Sequence, residues 1–202
     1  MPRGRYSLHD PHDGTPLGEE LFQCAPGPTG WRYVSRTGPA HAVDLTLDAL
    51  GRPLRLELRT ADWQVRGAAL DGVTWVRQSV DGTEAEEGNA DARAFTGVSP
   101  AFRVATAHLL RLTPATPTAR VRLLDLAPPV LAPRTRDETW TLLGSERHDT
   151  DAGQLTVEHY RVDDLETGER HTVHLAGDVL LAAPGVELEE LDSPPSRLRP
   201  EE

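Results

Sequence analysis

Residues 54–76 read LRLELRTADWQVRGAALDGVTWV, and this stretch decides the fold class. Leu54, Leu56 and Leu58 alternate with Arg55, Glu57 and Arg59, the period of two expected of a strand with one wet face. Trp63-Gln64-Val65 starts a second strand, and Asp71-Gly72 has the chemistry of a tight hairpin turn that returns the chain into Val73-Thr74-Trp75-Val76.

The same grammar extends outward. Residues 17–22 and 31–35 read as a strand pair around a loop at 25–30, where proline and glycine break regular structure. Val43, Leu45 and Leu47 alternate with Asp44, Thr46 and Asp48. After the second Asp-Gly turn, Asp81-Gly82, the acidic residues 84–91 show no apolar period and read as a mobile loop. Ser99-Pro100 opens the one convincing helix, with serine as N-cap and proline at the first helical position. Phe102, Ala105, Leu109 and Leu112 recur at helical spacing, and Thr113-Pro114 stops it. Short strands are expected at 120–126, 138–143, 155–162, 171–175 and 179–182. Roughly ten short strands and one helix make a mainly β protein whose single antiparallel sheet must curl to hide its apolar face and its edges. Residues 1–191 are expected to form one domain, and 192–202 a disordered tail.

Composition narrows the function classes. A net charge of −11 disfavours nucleic acid and anionic membrane surfaces as partners, since both demand a basic face. Every basic residue is arginine, a mark of codon bias more than of chemistry. The single cysteine, Cys24, can form no intrachain disulfide. No apolar run approaches the ~20 residues of a membrane span, and Met1-Pro2-Arg3-Gly4-Arg5 has no apolar stretch behind it, so a cytoplasmic protein without stable membrane insertion is expected.

Catalytic and metal motifs are weak. Gly97-Val98-Ser99-Pro100-Ala101 approaches a nucleophile elbow, but the proline after the serine has no N–H to give an oxyanion hole, so Ser99 reads as a helix cap. His171 and His174 differ by three and face opposite sides of a strand. His159 and His171 become cross-strand neighbours only in one register. His9-Asp10-Pro11-His12-Asp13 reads as an exposed turn. Neither a phosphate-binding glycine loop nor a legible carboxylate pair is present, so no catalytic residue, metal or cofactor is assigned.

Several short motifs together resemble a bacterial glycolipid-binding family. They are Asp62-Trp63, the Asp71-Gly72 and Asp81-Gly82 turns around Trp75, Ser99-Pro100-Ala101 leading to His108-Leu109-Leu110-Arg111-Leu112, and the closing His159-Tyr160-Arg161-Val162, Val173-His174-Leu175, Gly177-Asp178-Val179 and Ala183-Pro184-Gly185-Val186. The resemblance implies a spiral β-roll, a half-barrel related in architecture to bacterial lipoprotein carriers, with a concave apolar face for an acyl chain. The chain departs from the family pattern at Phe102-Arg103-Val104 and at His108, where the family usually carries arginine.

The leading expectation is a non-enzymatic binder of a hydrophobic small molecule or lipid, lined by Leu56, Leu58, Trp63, Trp75 and Phe102, with Arg103 or His108 meeting a head group. Two alternatives stand beside it. One is an enzyme using His159 or His171 as a general base, and the other is an interaction module acting through a sheet edge. Oligomeric state is not legible.

Overall fold

The structure, a computed structural model, describes residues 1–27, 30–150 and 153–196. Their strands form a single 15-stranded sheet, almost entirely antiparallel, that rolls around one short helix. The first half is a meander: β1 (Arg3–His9), β2 (Pro16–Gly27), β3 (Gly30–Thr37), β4 (His41–Asp48), β5 (Pro53–Arg59), β6 (Trp63–Ala69), β7 (Val73–Ser79) and β8 (Ala85–Ala90) each pair with the next. A short β9 (Ala94–Thr96) and helix α1 (Pro100–Leu110) follow. The second meander contains β10 (Thr118–Ala127), β11 (Ala132–Thr150), β12 (Gly153–Asp164), β13 (Arg170–Ala176), β14 (Val179–Ala183) and β15 (Val186–Leu191). The halves join where β1 pairs antiparallel with β15, and β9 lies parallel to β10 at the far edge.

The sheet edges, β8 and β9, are consecutive in the chain yet do not pair with each other. Instead the roll overlaps itself. Phe95 of β9 packs on Gly67 of β6 so closely that a Cβ there would come within 2.6 Å of the ring. The turn between β10 and β11 bridges the halves, because the Pro129 and Val130 carbonyls accept hydrogen bonds from Thr60 Oγ1 (2.9 Å) and Arg77 Nε (2.8 Å). Inside, Tyr6, Phe22 and Tyr33 stack in sequence, and Phe95, Phe102, Leu123, Leu126 and Trp140 continue the same core. Helix α1 is buried nearly all round, as a helix that plugs a roll must be, because little of its surface is left to meet water.

Several expectations need correction. Leu54 is 45% exposed, because a bulge opposite Thr46 and Leu47 puts it on the outer face while Leu56 and Leu58 point inward. Residues 85–90 of the expected acidic loop are strand β8, paired with β7 throughout. An edge strand wet on most of its surface needs no apolar alternation, so its sequence reads as loop. Within the expected 25–30 loop, the ladder between β2 and β3 continues through Ala25, Pro26 and Gly27 to Gly30, and residues 28–29 lie outside the described residues. Strands β1 and β15 were not anticipated. Part of the expected tail, 197–202, also lies outside the described residues, while the Asp192 and Ser196 amides donate to the Arg3 carbonyl (2.9 Å) and Asp178 Oδ1 (2.6 Å).

The helix ends beside the turn between β4 and β5. Gly51 has φ +82°, and a Cβ at that position would lie 2.6 Å from the Leu109 backbone nitrogen. Gly51→Ala is therefore expected to lower stability by about 2 kcal/mol, from left-handed strain and displacement of the helix. Thermal denaturation equal to the parent would show that turn and helix do not press on one another.

Candidate functional site

The inner face of β2 and β3 carries an unusual pattern. Phe22 and Cys24 point inward, and the same phase of β2 puts Glu20 inward, 2% exposed, while Leu21 faces solvent. On β3, Trp31 and Tyr33 are followed in phase by Ser35 and Thr37. A patch of hydroxyls thus surrounds one buried carboxylate at the end of an apolar wall. Glu20 Oε1 accepts from Tyr33 Oη and from Ser99 Oγ, each at 2.8 Å, and Thr37 Oγ1 lies 3.4 Å from Oε2. Burial pushes the Glu20 carboxyl above its ordinary range, with the Ser99 and Tyr33 hydroxyls drawing it back. Ser99 also accepts from the Ala101 amide (3.3 Å), so the residue that caps α1 ties it to β2.

Glu20, Ser35, Thr37 and Ser99 line one side of a cavity of about 470 Å³, whose remaining wall is chiefly apolar: Leu8, Val43, Leu58, Phe102 and Leu126. That size lies within the roughly 300–1,000 Å³ typical of small-molecule sites. Leu17 and Val98, at 52% and 49% exposed, stand at its rim with Arg59 and Pro129. Large aliphatic side chains left wet around an apolar opening are the usual border of a ligand groove.

A second cleft of about 580 Å³ adjoins the first, sharing Leu17, Val98 and Ala127 with it. Its lining is charged. Glu138, fully buried, accepts from Trp140 Nε1 (2.8 Å), and both its oxygens lie 3.3 Å from Arg103 Nη1. Arg136 is paired with Asp125 (3.2 Å) and Asp164 (3.6 Å). Burial raises the Asp125 carboxyl, against the pull of Arg136. His171 belongs to this cleft, and burial, aided by Arg103, lowers its pKa and favours the neutral ring. Its Nε2 has no hydrogen-bond partner among the described residues.

Of the residues singled out in the sequence, Leu58 and Phe102 line the apolar cavity and Arg103 lines the charged cleft. Leu56 is core and lines neither. Trp63 lies under the Arg77 guanidinium, whose carbon is 3.3 Å from the ring centroid, and Trp75 covers Gly88 on the neighbouring edge strand, so the two indoles do not share a cavity. His108 is buried on α1, away from both openings. His159 and His171 do not meet: the register sets His171 opposite Val162, and His159 opposite His174, with 2.7 Å between their Nδ1 atoms. Glu20 was missed, although a glutamate in phase with Phe22 and Cys24 was a signal for it. Among the described residues no group of three or more His, Cys, Asp or Glu side chains is placed to hold a metal ion, and no helix is long and apolar enough to cross a membrane.

No family model matches the chain, and no curated protein matches it. Among solved structures it is similar to a beta-barrel-like protein of the domain of unknown function DUF1849 from Brucella abortus, with a TM-score of 0.48 and 15% identity over 95% of this chain and 96% of that one. It is also similar to a DUF1089 family protein from Pseudomonas aeruginosa, with a TM-score of 0.55 and 17% identity over 84% of this chain and 91% of that one. At that identity the likeness carries the architecture and leaves chemistry aside: the chain shares its fold with the DUF1089 protein.

Proposed function

We propose that this protein is a non-enzymatic binder of an elongated, lipid-like ligand whose chain enters the cavity beside α1. The observation that supports the reading is the apolar cavity itself, open at a rim of wet aliphatic side chains and adjoining a charged cleft. Each buried methylene contributes about 0.8 kcal/mol, so a ten-carbon chain supplies roughly 8 kcal/mol before the costs of association, and few polar anchors are needed. In the adjoining cleft, arginines already paired with carboxylates offer donors and acceptors side by side. That mixture suits a polyhydroxyl head, such as the sugar of a glycolipid, better than a bare anion.

Two measurements test this. Organic extraction of the purified protein followed by lipid mass spectrometry should recover a stoichiometric amphiphile. An acyl-chain fluorophore should bind the parent, and Ala127→Trp should weaken binding at least tenfold with an unchanged melting temperature, because exposed Ala127 stands where the two openings meet. Equal fluorophore binding by the variant would remove the cavity from consideration.

A further inference from the structure

The cavity wall is not uniformly apolar, and its polar part is incompletely satisfied. Two donors converge on Glu20 Oε1, whereas Oε2 has only the long 3.4 Å contact with Thr37. A carboxylate oxygen has two lone-pair directions, so Oε2 keeps room for another donor. Ser35 Oγ sits in the same wall, buried, and faces this carboxylate without making a well-formed hydrogen bond to it or to any other described residue. Buried hydroxyls without a partner are uncommon in folded proteins, and one that lines a cavity points to something that enters it. Of the simple groups an amphiphile's chain can carry, a hydroxyl fits both vacancies, since it donates to Oε2 and accepts from Ser35 Oγ at once. An ether oxygen accepts only, and a carboxylate brings a second negative charge toward Glu20.

We propose that the Glu20–Ser35 pair makes this cavity selective for chains that bear a hydroxyl group. The inference rests on the binding function proposed above and names the ligand class more narrowly: a hydroxylated aliphatic chain, with the hydroxyl buried against β2 and β3 and the hydrocarbon against Leu58, Phe102 and Leu126.

Displacement of an acyl-chain fluorophore by three probes of matched length, 1-decanol, 1-methoxynonane and decanoate, tests it. The alcohol should bind about tenfold more tightly than the ether, the worth of one hydrogen bond to a charged acceptor, and decanoate should be the weakest. Ser35→Ala, a small change in a small side chain, should lower alcohol and ether affinity alike by several-fold, since both oxygens accept from the Ser35 hydroxyl, and should leave the alcohol ahead of the ether through its donation to Glu20. Glu20→Gln, checked for a retained melting transition, should bring alcohol and decanoate closer together. Equal binding of alcohol and ether by the parent, or alcohol affinity unchanged by Ser35→Ala, overturns the selectivity while leaving a chain-binding cavity in place. Failure of all three probes to displace a bound fluorophore overturns this inference alone, whereas absence of fluorophore binding by the parent overturns the binding function and this inference with it.

Discussion

Glu138→Ala is expected to destabilise the protein by about 3–5 kcal/mol, the usual result of deleting one member of a buried ion pair. Glu138 is 1% exposed and is the partner of both Arg103 and the Trp140 indole. Its loss leaves the Arg103 guanidinium, 20% exposed at the wall of the cleft, without its carboxylate and a buried indole N–H with no acceptor, and each of these carries a desolvation cost. The penalty comes mostly from the groups left behind. Arg103→Met combined with Glu138→Leu should therefore recover much of the stability, although Arg103→Met alone should not. Urea denaturation of the two single variants and the double variant measures the coupling, and a cost below about 1 kcal/mol for Glu138→Ala would mean that water reaches the pair freely.

The second large effect concerns pH. Asp178 is fully buried, and burial pushes its carboxyl from 3.8 up to about 6, although the Ser196 amide and the Trp31 indole pull the other way. Between those values the folded protein holds a proton that the unfolded chain has released. Stability from this group is therefore fully present below about pH 4 and declines as the pH rises through 6, by about 3 kcal/mol in all. Asp178→Asn keeps an oxygen for the Ser196 amide and carries no charge. It should be more stable than the parent by about 1–3 kcal/mol at pH 7.5, with the gain vanishing near pH 4. Chemical denaturation at the two pH values checks this. A variant less stable than the parent at both would show that the charge is welcome in the folded state.

The roll was legible where strands have one wet and one dry face. Leu56 with Leu58, Val43 with Leu45 and Leu47, and the Asp71-Gly72 and Asp81-Gly82 turns all carried their structure in plain periodicity. Strand β1 hid because one inward position is Gly4, where a Cβ would meet the Glu190 carbonyl and the Phe22 ring, leaving only Tyr6 and Leu8 to mark the phase. Leu54 misled because a bulge is decided by the partner strand, which a local pattern does not contain. The cavity was half legible. Leu58 and Phe102 were found as apolar residues in phase, but which apolar residues fill a core and which border an opening depends on the overlap of distant strands. The tryptophans drew attention by size, yet Trp63 and Trp75 lie toward the overhanging edge while the cavity forms around smaller side chains.

The pairing of β1 with β15 at the middle of the sheet has a consequence for the order of assembly. Within each meander nearly every strand meets its neighbour in sequence, so both can zip up from hairpins whose loops are short and cheap to close. The seam between them brings together residues such as Tyr6 and Leu188, nearly the whole length of the described chain apart. Closing that loop yields nothing until both strands already present finished edges, so it belongs late in folding and sets the slow step. Until then the two curled halves expose the faces that will later enclose α1, and the route to the native roll runs through a molecule with both inner surfaces open to water.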